Sequence, residues 1–234
     1  MSAEVLSVRG LNAYYGESHI LHGVDFTVAR GESVTLLGRN GAGRTTTLKA
    51  LLGLVSRRSG SVLINGAESI GLPPHQIARL GVSYCPEERG IYSSLSAEEN
   101  LLLPPAVGSE GMSCAEIYAL FPNLEQRRAT QGTRLSGGEQ QMLAVARTLR
   151  TGARLLLLDE ISEGLAPVVV QALSKAMQSL RAKGYTIILA EQNFRFAAPL
   201  ADRFYVMEHG RIVHSFAAVE LDAELAAVHK FLGI

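Results

Sequence analysis

Residues 38–47 read GRNGAGRTTT, a glycine-rich stretch that follows an apolar run and precedes a helical pattern. Gly38, Gly43 and Thr45 fall in the spacing of a loop whose backbone N–H groups cradle phosphate, with Arg44 where that motif carries lysine. Most of such a cradle needs no side chain, because the amides and the dipole of the following helix supply the positive field. Arg39, Asn40, Gly41, Ala42, Gly43, Arg44, Thr45 and Thr46 are therefore the candidate phosphate-binding residues. Thr45 offers a hydroxyl to Mg²⁺. Arg44 keeps a permanent charge on a planar, bulkier head than the compact ammonium of lysine, so it can replace the charge but not the geometry.

A second group lies at LLLLDE, residues 155–160. An acid at the end of a buried apolar strand is placed to hold Mg²⁺ through water, and the next acid to polarise an attacking water. Those residues are Asp159 and Glu160. Read alone, the pair is equally a strand end followed by a helix cap. A third group, Leu135, Ser136, Gly137, Gly138 and Glu139, opens the helical stretch RLSGGEQQMLAVARTLR and forms a second helix start suited to an anion.

The elements that must position these groups follow from patterning. VLSVRGLNAYY and GVDFTVARGESVTLLG are strand-like, and the latter delivers Val34–Leu37 into the glycine loop. TTTLKALLGLV has helical spacing. SGSVLINGAES predicts a hairpin turning at Asn65-Gly66, and RFYVMEHGRIVHS another at His209-Gly210. From about residue 95 to residue 150 the pattern is mainly helical, punctuated by Pro104-Pro105 and Phe121-Pro122. ARLLLLDE and YTIILAEQN are continuous apolar runs of the kind buried on both faces of a parallel sheet. Strands alternating with helices predict an α/β fold.

Composition narrows the classes. The 234 residues are 47% hydrophobic, with 22 basic and 22 acidic side chains, so no overall field marks a nucleic-acid binder. MSAEVLSVRG has no secretory pattern, and no run approaches a membrane span, which predicts a cytosolic chain. Cys85 and Cys114 lie outside metal-ligand spacing and read as ordinary apolar-site thiols.

Taken together, the glycine loop, LLLLDE and LSGGE resemble the ATP-binding cassette family, whose signature is L-S-G-G-Q. The resemblance covers nearly the whole chain. It implies a P-loop NTPase fold with a RecA-like core, an N-terminal antiparallel β subdomain and an inserted α-helical subdomain. On this reading 1–87 and 151–234 form the nucleotide-binding core and 88–150 the helical, signature-bearing part of a single domain. It further implies ATP and Mg²⁺ as ligands, with adenine stacked on Tyr15, and Mg²⁺ held by Thr45, Asp159 and Glu87, the last standing where the family has a glutamine. Glu160 is the implied catalytic base. Gln192 occupies the place of the histidine that contacts the γ-phosphate, and Ser162-Glu163-Gly164-Leu165 matches the loop that touches the partner. Residues 135–139 would complete the ATP site of a second cassette across a dimer.

GRNGAG, PEERGIY, LSGGEQQMLAVAR, DE.SEGLAP and AEQN together look like the smaller ATP-binding subunit of branched-chain amino acid uptake systems, in which glutamine at the switch position is usual. That resemblance implies two membrane permease subunits, a second ATP-binding subunit, an indirect link to a solute-binding protein and a peripheral place on the inner face of the membrane, without nucleic acid. Arg44 and Ile161, where proline is usual, depart from the pattern. The leading expectation is an ATPase that drives an uptake permease. Its alternative is a nucleotide-clamping, poorly hydrolytic cassette paired with a stronger partner. A cassette ATPase acting on ribosomes or DNA would carry two cassettes or a long coiled-coil insertion, and the sequence has neither.

Overall fold

The computed structural model describes residues 3–233. In chain order the elements are β1 (Glu4–Tyr15), β2 (Ser18–Ala29), β3 (Ser33–Leu37), α1 (Arg44–Leu51), β4 (Arg57–Ile64), β5 (Ala67–Glu68), α2 (Pro74–Ala78), β6 (Val82–Cys85), α3 (Ala97–Leu102), α4 (Cys114–Leu120), α5 (Pro122–Gln126), α6 (Gly137–Arg150), β7 (Leu155–Asp159), α7 (Pro167–Ala182), β8 (Thr186–Glu191), α8 (Phe194–Ala197), β9 (Arg203–Glu208), β10 (Arg211–Ala217) and α9 (Leu221–Leu232).

Two sheets result. The first, ordered β2-β1-β4-β5, is antiparallel. It closes at Asn65-Gly66, where both residues have positive φ, as a tight primed turn requires. The second is ordered β10-β9-β3-β8-β7-β6. Its strands β9, β3, β8, β7 and β6 run parallel, and β10 returns antiparallel through His209-Gly210. Strands β3, β7 and β8 are buried at every position, which is why β7 and the middle of β8 are apolar runs without alternation, while β3 also buries Ser33 and Thr35.

One core lies between the antiparallel sheet, α1 and one face of the parallel sheet, where Leu11, Val24, Leu36, Leu48, Leu157 and Ile188 meet. The other face packs Leu156, Leu158, Ile187 and Leu189 against Leu143, Val145 and Leu149 of α6 and Leu173, Met177 and Leu180 of α7. A third cluster seats α9 through Val228 and Leu232 against Phe204 and Phe216. Helices occupy much of residues 97–150, and α3 begins with a capping box between Ser96 and Glu99. Cys85 is buried, and burial lifts its thiol up to about 12, whereas Cys114 is half-buried at the start of α4.

Candidate nucleotide site

The glycine loop leaves the buried end of β3 and enters α1. Gly38 has no room for a side chain, since a Cβ there would stand 2.6 Å from the Met207 carbonyl oxygen and 2.8 Å from the Ala42 Cβ. Gly43 caps α1 with φ 106°, a conformation open only to glycine at ordinary cost. The loop is tied down by Ala42 N–H to the Arg39 carbonyl at 3.0 Å and Gly210 N–H to the Ala42 carbonyl at 2.9 Å. The first turn of α1 leaves its N–H groups without intrahelical partners. They face a cleft of about 410 Å³ lined by every residue from Arg39 to Thr46, with Ile20, Glu87, Glu160 and Glu163.

Thr45, which lines this cleft, reaches the fully buried Asp159 behind it: the Thr45 hydroxyl donates to Asp159 Oδ1 at 3.0 Å. The other Asp159 oxygen accepts from the Tyr84 hydroxyl at 2.9 Å. Tyr84 lies on β6, the strand beside β7, and the sequence reading did not anticipate it. Burial raises the Asp159 carboxyl, and the Tyr84 and Thr45 hydroxyls pull it back. A hydroxyl and a carboxylate locked together at a phosphate cradle are the donor set a Mg²⁺ shared with nucleotide phosphates needs, so the residues present fit that ion. Glu87 lines the same cleft, its carboxyl raised by partial burial and by Glu163 and Asp159.

Arg44 is the unexpected part. Its side chain is 6% exposed, and its Nη2 forms an ion pair with Glu160 Oε1, itself 7% exposed. Nη2 also lies 3.5 Å from Asn40 Oδ1, while Nε and Nη1 are buried without a hydrogen-bond partner. The guanidinium thus spends one nitrogen on the acid that follows β7 and keeps two buried nitrogens without a partner. Burial lifts the Glu160 carboxyl, and Arg44 pulls against that lift. Glu160 has φ 47°, and its backbone N–H donates to the Ala190 carbonyl at 2.9 Å. Its Oε2 is approached by the Gln192 N–H at 3.4 Å.

Around that turn sits a second buried acid. Glu191, fully buried at the end of β8, accepts from Ser162 N–H at 3.1 Å and from the Ser162 hydroxyl at 2.9 Å. Burial and the nearby Glu160 push its carboxyl up to about 8, against the pull of Ser162. Its signal in the sequence is an acid that closes the apolar run TIILAE beside Gln192, a signal the sequence reading did not use.

The remaining candidates are placed differently. Gln192 lines a larger adjoining groove of about 990 Å³ with Glu160, Ser162, Glu163 and Gly164. Tyr15 is 48% exposed at the end of β1 and lies outside the lining of the phosphate cleft, to which this sheet contributes Ile20. Its neighbour Tyr14 is already engaged, stacked on His19 at 4.2 Å beneath the Arg57 guanidinium. Residues 135–139 also lie outside the cleft. Ser136 caps α6 in a closed box with Glu139, and Leu135 is buried beneath them. Arg89, at φ 61°, reaches α6 from the PEERG turn, its Nε donating to Gln141 Oε1 at 3.0 Å.

Comparison with known proteins gives the family. Residues 21–163 match the ABC transporter family. The chain is 42% identical over 212 residues to the high-affinity branched-chain amino acid transport ATP-binding protein BraG of Pseudomonas aeruginosa, covering 89% of this chain and 91% of the relative. It is 37% identical to the probable branched-chain amino acid transport ATP-binding protein LivF of Archaeoglobus fulgidus, covering 90% and 91%. It is also 31% identical to the lipopolysaccharide export system ATP-binding protein LptB of Acidithiobacillus ferridurans, covering 99% and 98%. Among solved structures, an ATP-binding subunit of an ABC transporter superposes with a TM-score of 0.81 at 30% identity, over 98% of this chain and all of the other. A nucleotide-free cassette superposes at 0.84 with 22% identity, over 99% of each, which supports the fold alone. The chain belongs to the ABC transporter family and is one of its ATP-binding cassette ATPases.

Proposed function

We propose that the chain is the ATP-hydrolysing subunit of an ABC importer for branched-chain amino acids or a related small solute. The observation that carries hydrolysis is that the residue 39–46 cradle and Glu160 line one cleft, with the buried Asp159 bonded to Thr45 of that cradle. The solute class rests on the 42% and 37% identical relatives named for branched-chain amino acid transport, which outrank in identity the 31% identical export protein.

In this reading the first-turn amides of α1 receive the phosphates and Tyr15 receives the adenine. Thr45 and Asp159, with Glu87, would hold Mg²⁺, which when bound neutralises charge between the β- and γ-phosphates. Glu160 takes a proton from the attacking water, and the Gln192 backbone keeps that carboxylate aimed. Arg44 is shared: one nitrogen pairs with Glu160, and the two without a hydrogen-bond partner are the ones left for phosphate.

Residues 135–139 face a second cassette in a dimer, and Glu87–Asn100 receives a permease helix. No helix among the described residues is long and apolar enough to cross a membrane, so attachment to the inner face of the membrane runs through the permeases. A solute-binding protein would act through them.

The alternative, a cassette that clamps nucleotide and hydrolyses poorly, has one observation in its favour: the Arg44–Glu160 pair occupies the base. Steady-state ATP hydrolysis and leucine uptake by the transporter reconstituted with its permeases and partner cassette separate the two. Hydrolysis and uptake that Glu160→Gln removes support the first reading. Uptake that survives Glu160→Gln supports the second.

A further inference from the structure

Glu191 is the one fully buried acid of the chain's described residues that the proposed chemistry leaves without a task beside the reacting centre. It closes β8, whose other residues are Thr186, Ile187, Ile188, Leu189 and Ala190, a strand buried at every position. No arginine or lysine pairs with it among the described residues; both of its oxygens are spent on Ser162. A carboxylate without a cation is costly in such a place, and an apolar residue would close the strand at less cost.

The bonds around it form a circuit. Asn193 Nδ2 donates to Ser162 Oγ at 3.2 Å, which leaves the serine hydroxyl hydrogen for Glu191 Oε2 at 2.9 Å. The Ser162 amide adds a third link, to Oε1 at 3.1 Å. On either side of Glu191 in sequence, the Ala190 carbonyl accepts from the Glu160 amide at 2.9 Å, and the Gln192 amide approaches Glu160 Oε2 at 3.4 Å. Residues 160–162 are thus fastened to residues 190–193 at both ends of a turn in which Glu160 holds a left-handed conformation, φ 47°. Backbone of that kind in a non-glycine residue persists only where the surroundings fix it.

We propose that Glu191 is a positioning residue for hydrolysis: through Ser162 it holds the Glu160 turn against the Gln192 segment, so that base and switch glutamine are carried as one unit. Ser162 stands in SEGL, the loop that borders the groove shared by Glu160 and Gln192, so a partner pressing on that loop moves the base through the same bonds. The inference rests on the reading of Glu160 as the base.

The test is steady-state hydrolysis by the assembled transporter, with ADP affinity of the isolated full chain measured by calorimetry. Glu191→Gln keeps the shape of the side chain but puts an NH2 group, which cannot accept a hydrogen bond, in place of a carboxyl oxygen that accepts from Ser162. It is expected to lower kcat about tenfold with KM for ATP and the ADP dissociation constant within about twofold of native. Ser162→Ala is expected to do the same, and the double variant to lose no more than about twofold beyond either single one, because both remove one unit. Losses that multiply, a Glu191→Gln enzyme of native kcat, or an equal fall in ADP affinity would each overturn the proposal. If Glu191→Gln does not fold, Ser162→Ala decides alone: native kcat overturns it, and reduced kcat with native ADP affinity supports it. Glu160→Gln is the control: unaltered turnover in that variant would refute the catalytic reading of Glu160 and overturn the proposal with it, whereas lost turnover there with native kcat in Glu191→Gln would overturn the role of Glu191 alone.

Discussion

Two helix starts in this molecule are built for anions, and they are finished in opposite ways. At α1 the cap is Gly43, with no side chain to close the end, and the first helical residue brings a buried guanidinium that rests on Glu160. At α6 the cap is Ser136, whose hydroxyl accepts from the Glu139 amide while the Glu139 carboxylate accepts from the Ser136 amide; Ser136 and Gly137 are exposed. The first is an open cradle inside a cleft with its charge provisionally neutralised. The second is a closed, outward-facing end whose Glu139 also faces Arg127 at 3.5 Å. On the proposed function the first site is completed within one chain and the second only against another molecule, which would give nucleotide affinity to α1 and the gain on dimerisation to α6.

Removing the base should produce the largest effect. Glu160→Gln is expected to lower kcat of the assembled transporter by at least about a hundredfold, because the attacking water loses its acceptor. Arg44→Ala should cost far more turnover than Arg44→Lys, which is expected to match or exceed native, since lysine restores the compact donor the loop suits. Equal rates for alanine and arginine would instead make Arg44 a crippling substitution. At the adenine end, Tyr15→Ala should weaken ADP binding by about 1–3 kcal/mol, the scale of a base stacked on an aromatic. An unchanged dissociation constant by calorimetry would remove the exposed Tyr15 from the site.

At α6 the expectation is reversed in kind. Ser136→Ala should leave ADP binding to the isolated chain native and lower transporter turnover roughly tenfold. A change in ADP affinity would erase the division between the two helix starts. Gly138→Ala probes the same end more harshly, because its Cβ would stand 2.6 Å from Val169 on α7.

The smallest effect is on stability. Glu191 is raised from an ordinary value of 4.5 to about 8 in the folded chain. Between those values the folded state holds a proton that the unfolded chain releases, so this group's contribution is present at low pH and lost as pH rises toward 8. The melting temperature of the nucleotide-free chain should fall by a few degrees more between about pH 5 and pH 8 in the native protein than in Glu191→Gln. Parallel melting curves would place the Glu191 carboxyl in its ordinary range.

What could be read from the sequence was local. The strand, glycine loop and helix order, the apolar run before Asp159, the turns at Asn65-Gly66 and His209-Gly210, and the Ser96 capping box each depend on residues a few positions apart. The contacts that define the site do not. Arg44 meets Glu160 116 positions away, and Tyr84 meets Asp159 75 positions away. Both follow from the order β3-β8-β7-β6, which sets β8 between the phosphate loop and the acid strand and so places Glu191 beside both. No periodicity encodes that order. Arg89 is another such contact: it is bonded to Gln141 of α6, 52 positions away. Charge reversal at the exposed Glu88 is the cleaner probe of permease coupling, since reversal at Arg89 also disturbs the signature helix.

The central claim is that Arg44 is shared between Glu160 and the phosphates. Calorimetric ADP affinities of the isolated chain in native, Glu160→Gln, Arg44→Ala and double-variant forms test it without dimerisation or turnover. If the two compete, Glu160→Gln tightens ADP binding about five- to tenfold where Arg44 is present and changes it less than about twofold in the Arg44→Ala background. The same factor in both backgrounds would show that the phosphates do not draw on the guanidinium that Glu160 holds, and would contradict the account.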